Sequence, residues 1–163
     1  MTFVPITYWE ENLYWEDLAP GPLAACGPYL VTADEIRAFA AEFDPQEMHV
    51  DDGIAETQLV EGLFASGWHT IAVMMRLISD GLLCRTAFMG GAGCEEVKWL
   101  APVRPGDALT VHPQVLETRE SRTRAKAGFV KFLFRVVNGE GVTVMTVVGH
   151  LMFGRREPRP TAE

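Results

Sequence analysis

Residues 63–83, LFASGWHTIAVMMRLISDGLL, form the stretch that decides the fold. Up to residue 75, few of its side chains are polar, namely those of Ser66, His69 and Thr70. Because a helix that is apolar on nearly every side is a buried helix, this stretch predicts one buried helix over about 66–83. A chain of 163 residues can bury such a helix only by wrapping a sheet around it.

Segments on both sides of this helix supply the sheet. After the helix, we predict strands at 95–100, 108–118, 124–137 and 142–153. Before it, we predict a short strand at 28–31 and a helix that begins after Thr32, in a capping box with Glu35, and ends at Asp44. The fold class is therefore α+β: a curved antiparallel sheet wrapped around one long buried central helix.

The composition is typical of a soluble single-domain protein. Hydrophobic residues make up 48% of the chain and charged residues 22%. The longest apolar run, 71–75, is far shorter than the roughly 20 residues of a membrane span, and we find no secretory leader pattern, so we expect a cytoplasmic protein. The net charge of −8 argues against binding to nucleic acid. Three cysteines and four histidines show no metal-ligand spacing, so we expect no metal site.

The chain divides into three predicted parts. Residues 1–20 are rich in aromatic and acidic side chains, and their large rings favour an extension docked on the body. Residues 21–154 are predicted to form a single domain. Residues 155–163 carry two prolines and no apolar pattern, which predicts a disordered tail.

Asp44 and His49 are a candidate acid–base pair. Asp44 lies at the C-terminal end of the first predicted helix, where the helix dipole disfavours a carboxylate. His49 follows after a short loop, close enough to share a water molecule with Asp44. We therefore expect a raised pKa for the Asp44 carboxyl, beside an imidazole that can exchange protons with it. The alternative is that Asp44 only ends the helix and that His49 is a loop residue.

Gly67 begins the buried helix and is a candidate oxyanion donor. Its N–H lies at the positive end of the helix dipole, where it can receive a thioester carbonyl that becomes an enolate. The alternative is that Gly67 only allows close packing. Its neighbour Trp68 either lines an acyl pocket or packs in the core, and His69 is predicted as a hydrogen-bonded core histidine.

Together these segments resemble the MaoC-like dehydratases, the (R)-specific enoyl-CoA hydratase branch of the hot dog fold. The motif of that family is Asp-x-Asn-Pro-x-His-x-Asp, followed by a helix opened by His-Gly-Met. Asp44, His49 and Asp51 fall on its Asp, His and second Asp, and Gly67 falls on the glycine of the helix opening. The chain departs from the family pattern at four positions, Gln46, Glu47, Ser66 and Met75.

The resemblance implies reversible addition of water to a 2-enoyl-CoA thioester, giving an (R)-3-hydroxyacyl-CoA, without a metal or redox cofactor. It implies the catalytic residues Asp44, His49 and Gly67, and the substrate-binding residues Gln46, Asp51, Ser66 and Trp68. We expect His49 as the base toward water and Asp44 as the proton donor, or the reverse. The implied partners are an acyl-CoA substrate and a second copy of the chain, as a homodimer or a dimer of dimers.

Two other functions stay open at this point. One is an acyl-CoA thioesterase, which needs a carboxylate near the thioester carbonyl rather than a pair near C2 and C3. The other is a non-catalytic acyl-CoA-binding hot dog protein, which the altered motif would favour.

Overall fold

The computed structural model describes residues 13–51 and 60–157 of the chain. The helices are α1 (Ala33–Phe43), α2 (Glu47–Val50) and α3 (Gly67–Gly81), with single 3₁₀ turns at Trp15–Asp17 and Leu83–Arg85. The strands are β1 (Gly21–Pro22), β2 (Cys26–Leu30), β3 (Phe88–Trp99), β4 (Ala108–Glu120), β5 (Ala127–Val137) and β6 (Thr143–Gly154).

The six strands form one antiparallel sheet with α3 against one of its faces. The strand order is β1-β4-β5-β6-β3, and β2 pairs with β4 beside β1. Side chains alternate along β5, so that Val130, Phe132, Phe134 and Val136 are all buried on the face that packs toward α3. This arrangement confirms the predicted α+β hot dog fold.

Helix α3 is buried on one side rather than all round. Val73, Leu77 and Ile78 lie in the core, whereas Trp68 is 64% exposed and Met75 is 45% exposed. The predicted core packing of Trp68 is therefore wrong for the single chain, because the sheet covers only one side of the helix.

Helix α1 brings Asp44 to the edge of the core. The Thr32 hydroxyl accepts from the Glu35 N–H at 3.2 Å and the Glu35 carboxylate accepts from the Thr32 N–H at 3.1 Å, which confirms the predicted capping box. Ile36 and Ala40 bury one face of α1, and Asp44 is its C-terminal cap. The start, the anchored face and the length of this helix together fix where Asp44 lies.

Strand β3 begins earlier than predicted, at Phe88 rather than at residue 95. Gly90 and Gly93 have φ values of +144° and +128°, and the register with β6 shifts beside them. Glycine tolerates these angles, so the ladder continues through bulges where a strand pattern is hard to detect. β3 is an edge strand, and most of its side chains are exposed.

The described part of the N-terminal segment contacts the sheet. Trp15 lies directly against Gly128, and its indole N–H donates to the Phe129 carbonyl at 3.2 Å. Arg155 stacks over the Trp15 ring and pairs with Glu16 at 3.1 Å. The predicted tail boundary is thus wrong at Arg155, whose side chain is held by this ring and carboxylate. Residues 1–12 and 158–163 lie outside the described residues, and the other domain boundaries stay predictions.

Candidate active site

The candidate site forms where α1 ends, α2 passes and α3 begins. Asp44 caps α1, and the turn after it leads directly into α2, which carries His49. Gly67 is the first residue of α3. Short local connections place Asp44 and His49 together, whereas only the folding of the chain brings α3 to them.

The Asp44 carboxylate accepts two short hydrogen bonds. Gln46 Nε2 donates to its Oδ1 and Ser66 Oγ donates to its Oδ2, each at 2.6 Å. The bond from Gln46, followed by that from Ser66, holds the pKa of Asp44 below its ordinary value, against a smaller opposing effect of burial. The prediction of a raised pKa is therefore wrong, because the hydrogen bonds from two donors outweigh the effect of burial.

The His49 ring is buried and its tautomer is set by the backbone. Its Nδ1 lies 2.9 Å from the Phe64 carbonyl oxygen, which can only accept, so Nδ1 carries the hydrogen in the neutral ring. Nε2 is then the acceptor, and it lies 3.6 Å from Asp44 Oδ2. Two hydrogen-bond acceptors thus face each other across a narrow gap.

Gly67 presents an N–H at the start of α3. The described residues provide no acceptor that is hydrogen-bonded to it. On the other side of the residue, Trp99 Nε1 donates to the Gly67 carbonyl at 3.0 Å. A Cβ at Gly67 would lie 2.6 Å from the Trp99 ring, so this position admits only glycine without a shift of the indole. The close packing expected at Gly67 therefore exists.

An apolar cavity of about 290 Å³ opens next to Gly67. Its walls come from the start of α3, the end of β3 and the turn after β3; they are Val60, Phe64, Ala65, Gly67, Thr70, Trp99, Leu100, Ala101, Pro102 and Val103. Phe64 joins this cavity to the acid–base pair, because its ring also meets the His49 ring edge-on at 4.8 Å. An apolar chain in this cavity would contact the start of α3 and the Phe64 ring that packs on His49.

Comparison with known proteins gives the family. The sequence profile of the MaoC like domain matches residues 21–137. The chain belongs to the MaoC-like domain family. The predicted family is thereby confirmed, and this MaoC-like protein shares its fold with hydratases and dehydratases.

Three relatives illustrate the match. YdeM, an uncharacterized protein of Bacillus subtilis (strain 168), is 32% identical over 114 residues, which are 70% of this chain and 79% of YdeM. The MaoC-like dehydratase from Rhodospirillum rubrum is 39% identical, with a TM-score of 0.82 over 90% of this chain and 99% of that one. The R-hydratase PhaJ1 from Pseudomonas aeruginosa is 22% identical, with a TM-score of 0.65 over 93% and 97% of the two chains, and shares the fold.

The structure brings together most, but not all, of the predicted site residues of this MaoC-like protein. Gln46 and Ser66 donate to Asp44. Asp51 is exposed at the end of α2, and its backbone N–H donates to the Glu47 carbonyl. Trp68 is exposed and meets Trp99 edge-on, with ring centroids 5.9 Å apart.

Two residues of the site escaped the sequence prediction, Phe64 and Trp99. Phe64 acts on His49 through its backbone carbonyl, which no side-chain pattern reveals. Trp99 is 32 residues from Gly67 in sequence, and only the sheet brings it there. A lone tryptophan just before the Pro102 turn was the available signal.

His69 is buried, as predicted, but it is not a hydrogen-bonded core histidine within the described residues. Its Nδ1 is buried without a partner there, and its ring stacks on Phe39 at 4.8 Å. Burial lowers the pKa of its imidazole, with Glu35 opposing.

The described residues contain no cluster of His, Cys, Asp and Glu able to hold a metal ion. In the same part of the chain, none of the helices combines the length and the apolar character of a membrane span.

Proposed function

We propose that this MaoC-like protein reversibly adds water to the double bond of a 2-enoyl-CoA thioester, with an (R)-3-hydroxyacyl-CoA as the product. The observation that carries the proposal is the 3.6 Å gap between Asp44 Oδ2 and His49 Nε2, beside the start of α3. Membership of the MaoC-like family and the fold shared with R-hydratases support it.

One water molecule can bridge Asp44 and His49 from beside the pair, because the 3.6 Å between Oδ2 and Nε2 is too short to hold it between them. A carboxylate and an unprotonated imidazole nitrogen are both acceptors, so they repel each other unless something donates a hydrogen to each. A water molecule has two hydrogens and can donate one to each group. Its oxygen lone pairs then point away from the pair, toward an electrophilic carbon.

The addition step uses the Gly67 N–H and His49. The thioester carbonyl accepts from this N–H, which stabilises the negative charge that develops on its oxygen. The water oxygen forms a bond to C3, its proton moves to His49 Nε2, and the electrons of the C2–C3 double bond pass into the enolate. The imidazolium then returns its proton to C2, which leaves the neutral 3-hydroxyacyl thioester and the original imidazole.

Asp44 stays ionised in this sequence of steps. The hydrogen bonds from Gln46 and Ser66 stabilise its charged form, so it is a poor proton donor to C2. Its role is to orient the water and to stabilise the imidazolium of His49. We thus assign both proton transfers to His49.

The decisive measurement is hydration of crotonyl-CoA and of longer 2-enoyl-CoAs, followed by the loss of ultraviolet absorbance of the conjugated thioester. We expect Asp44→Asn and His49→Gln to lower kcat/KM by about 10²–10⁴-fold, the usual contribution of acid–base groups. His112→Gln, on β4 outside the site, is the matched control.

Three outcomes would contradict the proposal. Activity of the two variants equal to that of the parent would remove the assigned roles. Release of free thiol without loss of the double bond would identify a thioesterase, and binding of every acyl-CoA without turnover would identify a binding protein.

We also propose that two copies pair through β3, in a homodimer. This edge strand is 12 residues long and mostly exposed, and such an edge offers unpaired backbone groups to another strand. A molecular mass in solution equal to that of one chain would refute the pairing. Because its three cysteines are free, we expect the protein to work in a reducing compartment such as the cytoplasm.

A further inference from the structure

Ser66 lies between the two halves of the candidate site. Its side chain is almost completely buried, and its hydroxyl donates to Asp44 Oδ2 at 2.6 Å. The same hydroxyl oxygen accepts from the Trp68 N–H at 3.2 Å, as the N-terminal cap of α3. A serine hydroxyl has one hydrogen, and that of Ser66 is donated in the hydrogen bond to Asp44. Ser66 therefore has no hydrogen to donate to a substrate.

The contact joins the acid–base pair to the oxyanion donor. The N–H of Gly67 belongs to the peptide bond that Ser66 forms with it, and this peptide unit is planar and stiff. The Ser66 hydroxyl therefore positions Asp44 Oδ2, and the Ser66–Gly67 peptide bond positions the Gly67 N–H. Asp44 Oδ2 is also the oxygen that faces His49.

We propose that Ser66 is a positioning residue, which fixes the Asp44 carboxylate in its ionised, accepting form at a set place relative to the Gly67 N–H. This assignment deepens the proposed hydratase function and, for its kinetic readout, rests on it. It replaces the substrate-binding role that the sequence suggested for Ser66.

Gln46 also holds the Asp44 carboxylate, but it contributes less to its position than Ser66 does. It donates to Asp44 Oδ1, the other oxygen, and its own side chain is exposed. Water can replace an exposed donor more readily than the buried hydroxyl of Ser66. Loss of Gln46 is therefore expected to disturb the position of Asp44 less than loss of Ser66.

The direction of the pH effect follows from the hydrogen bond. A donor that bonds the charged carboxylate lowers its pKa, so removal of the Ser66 hydroxyl raises the pKa of Asp44 toward its ordinary value. In the Ser66→Ala variant, Asp44 then loses its charge at a higher pH than in the parent. The acidic limb of the kcat/KM profile must move in the same direction.

The test is a ¹³C NMR titration of the Asp44 carboxyl, with its signal assigned by Asp44→Asn. In Ser66→Ala, the Asp44 carboxyl is expected to titrate at higher pH than in the parent. In Ser66→Thr, which keeps a hydroxyl, its titration is expected to lie closer to that of the parent. Ser121→Ala is the matched control, because it removes another buried serine hydroxyl, which accepts from the Arg124 N–H at 3.1 Å in the turn after β4. In the activity assay, Ser66→Ala should lower kcat/KM about tenfold, mainly through kcat.

An Asp44 titration that is the same in Ser66→Ala and in the parent would overturn the proposal. A shift of equal size in Ser121→Ala would also overturn it, because loss of a buried hydroxyl outside the site would then explain the effect. If Ser66→Ala does not fold, the comparison of the parent with Ser66→Cys and Ser66→Thr decides. A thiol is a weaker hydrogen-bond donor than a hydroxyl, so Asp44 is expected to titrate at the highest pH in Ser66→Cys. If the parent hydrates no enoyl-CoA, the proposed function fails, while the titration still decides the role of Ser66.

Discussion

Two tryptophan–glycine pairs in this protein share one packing device and differ in their surroundings. Trp99 lies against Gly67, and Trp15 lies against Gly128, each ring in the space that a Cβ would need. In each pair the indole N–H donates to a nearby backbone carbonyl, that of Gly67 itself in the first and of Phe129 in the second.

The difference between the pairs lies in what surrounds each ring. Trp99 is half-exposed and borders the cavity beside the candidate oxyanion donor. Trp15 is partly buried against the core and is covered by Arg155, which also pairs with Glu16. The same contact thus shapes a site in one place and closes the core in the other, so a matched substitution at each glycine should separate activity from stability.

Among the substitutions that test this comparison, Gly67→Ala is expected to have the largest effect, and that effect is on catalysis. The new methyl group would displace the Trp99 ring and the start of α3, and so move the N–H that receives the thioester oxygen. We expect kcat/KM for enoyl-CoA hydration to fall about 10²–10³-fold, as for the loss of one oxyanion-hole donor. Steady-state kinetics checks this, and a fully active Gly67→Ala would refute the role of Gly67.

The second prediction concerns Gly128→Ala, which should act on stability instead. Its methyl group would collide with the Trp15 ring, which is held by Arg155 and the Phe129 carbonyl. We expect the free energy of unfolding, measured in urea, to fall by about 1–3 kcal/mol, as for other overpacked core positions. The kcat of the folded protein should stay unchanged. A similar loss of kcat in both glycine variants would abolish the distinction between the two pairs.

The smallest expected effects are those of the two matched tryptophan substitutions. Trp99→Phe and Trp15→Phe each keep an aromatic ring and remove one indole N–H, a hydrogen bond worth about 1 kcal/mol. Trp99→Phe should lower kcat/KM by about fivefold, since that energy corresponds to this factor. Trp15→Phe should lower only the free energy of unfolding. A lower kcat/KM in Trp15→Phe, together with an unchanged kcat/KM in Trp99→Phe, would contradict the comparison.

The sequence allowed the prediction of those features that depend on neighbours along the chain. Residue spacing located Asp44 and His49, the capping box located the start of α1, and the apolar run located α3. The partners of these residues come from distant segments: Ser66 donates to Asp44 across 22 residues. The expected pKa of Asp44 was wrong only partly for this reason, because its first donor, Gln46, is two residues away and its second donor, Ser66, comes from another helix.

The edge strand β3 illustrates the other limit. Its first half contains Gly90 and Gly93, residues that ordinarily interrupt a strand. Pairing with β6 nevertheless continues through them with shifts of register. Such bulges depend on the partner strand, so they leave no regular alternation in the sequence.

The lengths of the elements explain why Leu18 belongs to the core and Trp15 packs against it. Helix α3 has 15 residues and spans about 22 Å at 1.5 Å per residue. Strand β4 has 13 residues and reaches about 44 Å when extended. One helix cannot line strands of that length, so side chains outside α3 complete the apolar layer, among them Leu18 and Trp15.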